Sequence, residues 1–216
     1  LCGLGWSLET LFLRTLTLEQ MLTTGGGWQD QAGGIYRGIK LIETSAGLAQ
    51  RPSLQWLPEH LFGGPGNQAV LLYYTGVTRL AKNILDEIVR GIFLNARDTL
   101  RILEDIGANA TTAANAIQSC NYGGLVEAVR RSWELNQALD AGTNPPSIQA
   151  ILDVVGDYLA AAKLLGAGGG GYMLMFAKDE DAAARIKKEL TQAPPNPTAR
   201  FVDFSISQTG LQRSWS

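Results

Sequence analysis

In the stretch TTGGGWQDQAGG, Thr23 to Gly34, five glycines surround a tryptophan, two glutamines and one carboxylate, Asp30. Glycine leaves bare backbone that a ligand can approach closely. A carboxylate at the end of such a loop could take a proton from a substrate hydroxyl without a histidine; the competing reading is a helix N-cap, a position that Asp favours. A second glycine run, GAGGGGY from Gly166 to Tyr172, could bring several N–H groups close to phosphate oxygens. It is not a Walker loop, which needs GxxxxGK, and it does not follow a strand and open a helix as a dinucleotide fingerprint does. A tight turn that lets a helix and a strand pack closely accounts for it as well.

The elements that must position these residues are readable from periodicity. Ser7 stands as an N-cap before Leu8, Leu11, Phe12, Leu18 and Leu22, whose spacing predicts a helix from Leu8 to Leu22. After Gly34, IYRGIKLIET reads as a strand and LQWLP as a weaker one. Pro58 and the GGPGN run mark a boundary near residue 65, beyond which AVLLYYTG is a buried strand. Four helices are then expected: Thr78–Leu94, Asn95–Ile106, GGLVEAVRRSWELNQAL and SIQAILDVVGDYLAAAK. GYMLMFA reads as a strand, DEDAAARIKKEL as a helix and ARFVDFSISQTGLQ as a closing strand. The expected fold class is α+β, an antiparallel sheet covered by helices. Two parts are expected, residues 1–65 and 66–216.

Composition excludes several classes of function. With 216 residues, 45% of them hydrophobic, the chain can bury a substantial core. Eighteen basic against twenty acidic residues give a net charge of −2, with no basic run to neutralise a phosphate backbone, so nucleic acid is not an expected partner. Cys2, Cys120 and the single His60 assemble neither a disulfide framework nor a zinc site, which suits a reducing cytoplasm. No segment approaches the roughly 18 apolar residues of a membrane span, and LCGLGW shows no targeting pattern.

GGGWQDQ, followed by YTGVTRLAKNIL, LLGAGGGGYMLMFAKD and the closing QTGLQ, resembles the GHMP sugar kinases, and within them the L-fucokinase branch. The likeness runs over nearly the whole chain. GGGWQDQ and YTGVTRLAKNIL are its specific parts, whereas GAGGGG suits many members. The resemblance implies a two-layer GHMP kinase fold, ATP and Mg2+ as cofactors, and L-fucose 1-phosphate as product, in salvage toward GDP-fucose. It implies that Asp30 deprotonates the anomeric hydroxyl and that Glu19 binds Mg2+. Gly168, Gly169, Gly170 and Gly171 then lie near the phosphates, Gly25, Gly26, Gly27 and Trp28 shape the sugar pocket with Gln31 of the same motif beside them, and Thr78 and Arg79 reach a phosphate or a hydroxyl.

The family's phosphate loop, a glycine-rich turn running into paired serines, is not found upstream of the first helix, and CGLG does not replace it. The chain therefore reads as a C-terminal fragment of such a kinase, inactive in isolation, with a nucleotide-sugar pyrophosphorylase fused upstream in some relatives. Two alternatives stand beside this reading. A heptose 7-phosphate kinase would need Arg37, Lys40 or Arg79 for the substrate phosphate, and a sugar-sensing module would keep the fold without turnover.

Overall fold

The computed structural model describes residues 5–22, 27, 29–45, 47, 52–62, 69–77, 82–94, 96–166 and 168–212, with only the backbone given for 82–87. It divides into two compact units, Leu1–Glu59 with Ile206–Ser216 and His60–Ser205.

In the first unit, α1 (Leu8–Met21) starts where the Ser7 hydroxyl accepts the Thr10 N–H at 3.1 Å, satisfying one of the otherwise unpaired donors of the first turn. Its apolar spacing buries less than expected. Phe12 is buried and Leu11 packs beside it, while Leu8, Leu18 and Leu22 stay exposed. The partner of Phe12 is α2 (Gln29–Ile35), through Ala32 and Ile35 at helical spacing. Here the structure corrects the reading of a loop running straight into a strand. Gly33 and Gly34 are poor helix formers, but they lie on the exposed side while Ala32 and Ile35 drive the helix onto α1.

The strand begins only after a reversal at Gly38, which has φ +69°. There Lys40 Nζ donates to the carbonyls of Tyr36 at 2.7 Å and Gly38 at 3.0 Å. β1 (Ile39–Glu43) pairs antiparallel with β2 (Ser53–Leu57), Ile39 opposite Leu57, and the Trp56 indole donates to the Arg37 carbonyl at 3.2 Å. The tail joins this unit. Gly38 N–H donates to Ser207 O at 2.9 Å and Leu211 N–H to Ile35 O at 3.1 Å. Gly210 has φ +63°, and a Cβ there would sit 2.6 Å from Ile35 O, so only glycine permits this approach. The closing stretch was expected to continue as a strand of the second part. It pairs only over 200–202, and residues 206–216 cluster with the first unit instead.

The second unit is built on a four-stranded antiparallel sheet. Its elements are β3 (Val70–Tyr74), α3 (Lys82–Phe93), α4 (Arg97–Gln118), α5 (Tyr122–Leu139), α6 (Pro146–Val155), β4 (Leu159–Leu164), β5 (Tyr172–Ala177), α7 (Glu180–Gln192) and β6 (Arg200–Val202). The strand order is β4-β5-β3-β6. Alternate residues Leu71 and Tyr73 of β3 and Met173 and Met175 of β5 meet Ile148, Ile151 and Val155 of α6 and Ile186 and Leu190 of α7 in one core. Full burial of each such side chain is worth about 1.5–3 kcal/mol. α4 runs well past Ile106, and Asn109 Nδ2 donates to the Ala128 carbonyl at 2.8 Å, tying it to α5.

SIQAILDVVGDYLAAAK is not one helix. α6 stops at Val155, a 3-10 turn covers Gly156–Tyr158, and LAAAKL becomes β4. Alanine favours helix locally, but pairing with β5 and burial of Ala161, Ala162 and Leu164 override that preference.

β4 also carries Lys163, whose Nζ donates to the Ser132 hydroxyl of α5 at 2.8 Å. Burial pulls its pKa below the ordinary lysine value of 10.5. Between the lowered value and 10.5 the unfolded chain holds more protons than the folded one, so stability rises with pH across that interval. Denaturant titrations from neutral pH to 10.5 should show this rise in the native chain and a flatter profile for Lys163→Met.

Candidate active site

Asp30 lies in the first turn of α2, one residue inside the helix, and its side chain is exposed. The N-cap reading of Asp30 is therefore corrected, because the helix already begins at Gln29. A carboxylate in a first turn is favoured by the unpaired N–H groups there. Glu19 occupies the last turn of α1, half-buried. Between them stands Gln31, 5% exposed, which donates through Nε2 to Glu19 Oε2.

These three side chains open on one cleft of about 420 Å³, whose other walls are Leu11, Thr15, Gly34, Ile35 and Leu211. A cavity of this size suits a small molecule. Its polar residues are oxygen-bearing and mostly acceptors, and its apolar side chains offer a surface to the C–H face of a ring. Gln31 Oε1 is shielded from solvent and has no hydrogen-bond partner. Among the described residues no cluster of three or more His, Cys, Asp or Glu gathers for a metal ion. Mg2+ does not require one, since it takes one or two carboxylates together with substrate phosphate oxygens. Glu19 and Asp30 supply carboxylates of that kind, so the residues present fit it.

Residue types alone did not reveal Thr15, Gly34 or Leu211 as cleft residues. For Leu211 the signal lay in the preceding Gly210, whose positive φ lets the tail reach Ile35. Gly27 is exposed and nothing crowds it. Gly25, Gly26, Trp28, Thr78 and Arg79 lie outside the described residues. His60 is exposed in a turn. Lys40, a candidate for holding a substrate phosphate, has its ammonium engaged by backbone carbonyls and its pKa lowered by burial.

In the second unit, Gly168 to Gly171 join two antiparallel strands, β4 and β5, and not a helix and a strand as expected. The preceding segment became β4 for the packing reason given above. Gly169 N–H donates to Thr143 O at 2.8 Å and Gly171 N–H to Val77 O at 2.9 Å. The Gly171 carbonyl accepts both the N–H and the hydroxyl of Thr75, each at 2.9 Å. A Cβ on Gly168 would meet Thr143 Cγ2 at 2.6 Å, and one on Gly170 would meet Val77 O at 2.4 Å. The run thus seats against the turn after β3 and the segment before α6, with no room for a side chain at 168 or 170.

Residues 113–196, from the second half of α4 to the loop before β6, match the family described as GHMP kinases C terminal. This part of the chain is a GHMP kinase C-terminal domain. An L-fucokinase/L-fucose-1-P guanylyltransferase of Bacteroides fragilis is 52% identical over the whole chain, which covers 23% of that protein. A bifunctional fucokinase/GDP-fucose pyrophosphorylase of Arabidopsis thaliana is 33% identical over 85% of the chain, covering 18% of it. The chain thus spans a quarter or less of the length of these curated relatives. Among solved structures, L. major mevalonate kinase in complex with R-mevalonate superimposes with a TM-score of 0.65 at 17% identity, over 92% of this chain and 58% of that one. Lactococcus lactis galactokinase complexed with galactose does so with 0.62 at 15% identity, over 96% and 61%. The α+β arrangement of antiparallel sheets and helices is that of GHMP kinase folds.

Two glycines of the GHMP kinase loop separate backbone strain from crowding. Gly166 has φ +75° with nothing near its missing Cβ, whereas Gly168 has φ +91° and abuts Thr143. Gly166→Ala should cost about 1–2 kcal/mol from the left-handed backbone alone. Gly168→Ala should cost a further 1–3 kcal/mol or so from overpacking. Thermal unfolding of the two variants measures the difference.

Proposed function

We propose that this chain is the part of an ATP-dependent sugar 1-kinase that carries its general base, and that the natural protein converts L-fucose and ATP to L-fucose 1-phosphate and ADP. The observation that carries the reading is the cleft in which Asp30, Glu19 and Gln31 meet beside apolar walls. Similarity to two fucokinases supports the choice of sugar.

Asp30 takes the proton of the anomeric hydroxyl, whose oxygen forms the new bond to the γ-phosphorus as the bond from that phosphorus to ADP breaks. Phosphoryl transfer asks a protein mainly for positioning and for charge stabilisation. Glu19, together with nucleotide oxygens, would hold Mg2+, which would neutralise phosphate charge there. By the family resemblance, Gly25, Gly26, Gly27 and Trp28 are assigned to sugar binding, and Thr78, Arg79 and Gly168 to Gly171 to binding of phosphate or a sugar hydroxyl. In this proposal residues 1–65 finish the catalytic part of the kinase and 66–216 form its C-terminal domain. The fused activity in the names of both relatives suggests a pyrophosphorylase in the same polypeptide, acting in cytoplasmic GDP-fucose salvage. A heptose 7-phosphate acceptor is the weaker reading, because Lys40 is committed to carbonyls.

ADP release by the natural protein with L-fucose should fall by at least about a hundredfold, the general-base contribution, in Asp30→Asn. Calorimetry should show L-fucose binding retained. Undiminished turnover in that variant, or turnover with a heptose 7-phosphate alone, would overturn the proposal.

A further inference from the structure

Among the described side chains that line the cleft, Gln31 has a buried oxygen without a hydrogen-bond partner. It is 5% exposed, its Nε2 donates to Glu19, and its Oε1 is buried without a partner. A buried acceptor left without a donor is unfavourable, and a leucine or methionine would fill the same space without that cost. The unmatched oxygen therefore points to a role that the folded chain alone does not complete.

A glutamine amide in a cleft can ordinarily turn over and offer either its oxygen or its nitrogen. Here the turned form is excluded, because Glu19 is an acceptor and holds the nitrogen on its own side. The bond to Glu19 makes Gln31 a one-way reader, with only Oε1 left for a ligand, so the matching ligand group must be a donor. A sugar hydroxyl is such a donor, and the apolar walls formed by Leu11, Ile35 and Leu211 suit the ring that carries it. Neither an ether oxygen nor a fluorine could replace it.

We infer that Gln31 Oε1 accepts a hydrogen bond from one ring hydroxyl of the acceptor sugar, other than the anomeric one, and makes that hydroxyl a requirement for binding. The inference rests on the sugar-kinase reading and adds to it a residue that determines specificity. A site built to bond a hydroxyl rejects the analogue that lacks it far more strongly than an apolar pocket rejects a missing methylene.

The test uses the natural protein with L-fucose and its monodeoxy and monofluoro derivatives at each ring hydroxyl other than the anomeric one, read as kcat/KM by ADP release and as affinity by calorimetry. One position should stand out. Its deoxy and fluoro derivatives should both fall by on the order of a hundredfold or more, the fluorine failing because it cannot donate. Gln31→Met should reduce the preference at that position to less than about tenfold and leave the other positions unchanged. The paired exchange Glu19→Gln with Gln31→Glu keeps the hydrogen bond between the two side chains and an oxygen acceptor at 31, and should retain the preference in calorimetric affinity even if the methionine variant folds poorly. Full discrimination persisting in Gln31→Met, or lost from the affinities of the folded paired variant, would overturn the inference while leaving the kinase reading intact. Failure of the unsubstituted protein to bind or phosphorylate L-fucose would instead bring down the fucose reading, and this inference with it.

Discussion

The bond from the Gln31 amide to the Glu19 carboxylate is the interaction on which the acidic cleft depends. Two helices supply the cleft's polar groups, and the contact between those helices is small, with Phe12, Ala32 and Ile35 as its buried residues. Apolar contact of that size brings α1 and α2 together without specifying the rotation of one against the other. A directional, charge-assisted hydrogen bond adds that specification. Because Asp30 precedes Gln31 on α2, fixing the glutamine also sets where the carboxylate of Asp30 can stand relative to Glu19. The tail reinforces the arrangement, since Leu211 closes one wall through its bond to the Ile35 carbonyl.

The second unit solves a comparable problem with backbone groups. The Thr75 side chain is fully buried and bonds the Gly171 carbonyl, while Val77 and Thr143 receive N–H groups from the glycine run. On the far side of the same turn, Asn196 Nδ2 donates to Thr75 O at 2.7 Å, and a Cβ on Gly76 would lie 2.0 Å from Asn196 Oδ1. Glycine is needed at 76, 168 and 170 because other chain segments come too close for a side chain. The loop is thereby held by its own protein, and its shape is set by β3, β5 and the segment before α6 before any ligand arrives.

The elements legible in the sequence were those whose local preference agreed with their burial. Ser7 as a cap, the buried strand at VLLYY and the helix at DEDAAARIKKEL follow from capping, continuous apolar character and helical spacing. The elements misread were those in which the two disagreed. LAAAKL carries alanines that favour helix, yet it lies between α5 and β5 and must pair as a strand. QDQAGGI carries two glycines that disfavour helix, yet its Ala32 and Ile35 have Phe12 to pack upon. Periodicity reports the preference of a segment by itself, and in neither segment does it contain the partner that settles the matter.

The same division holds for the candidate site. The sequence by itself determined the chemistry on offer, because the identities of Asp30, Glu19 and Gln31 and the glycines around them are covalent facts, and the strings that carry the family resemblance are local ones. Only the tertiary structure decided that Glu19 and Gln31, twelve residues apart, bond to each other, that the amide nitrogen is thereby spent, and that the tail supplies a wall. Hydrogen-bond direction and cleft shape depend on where separate segments are placed in space, and that placement is set by the packing of α1, α2 and the returning tail together.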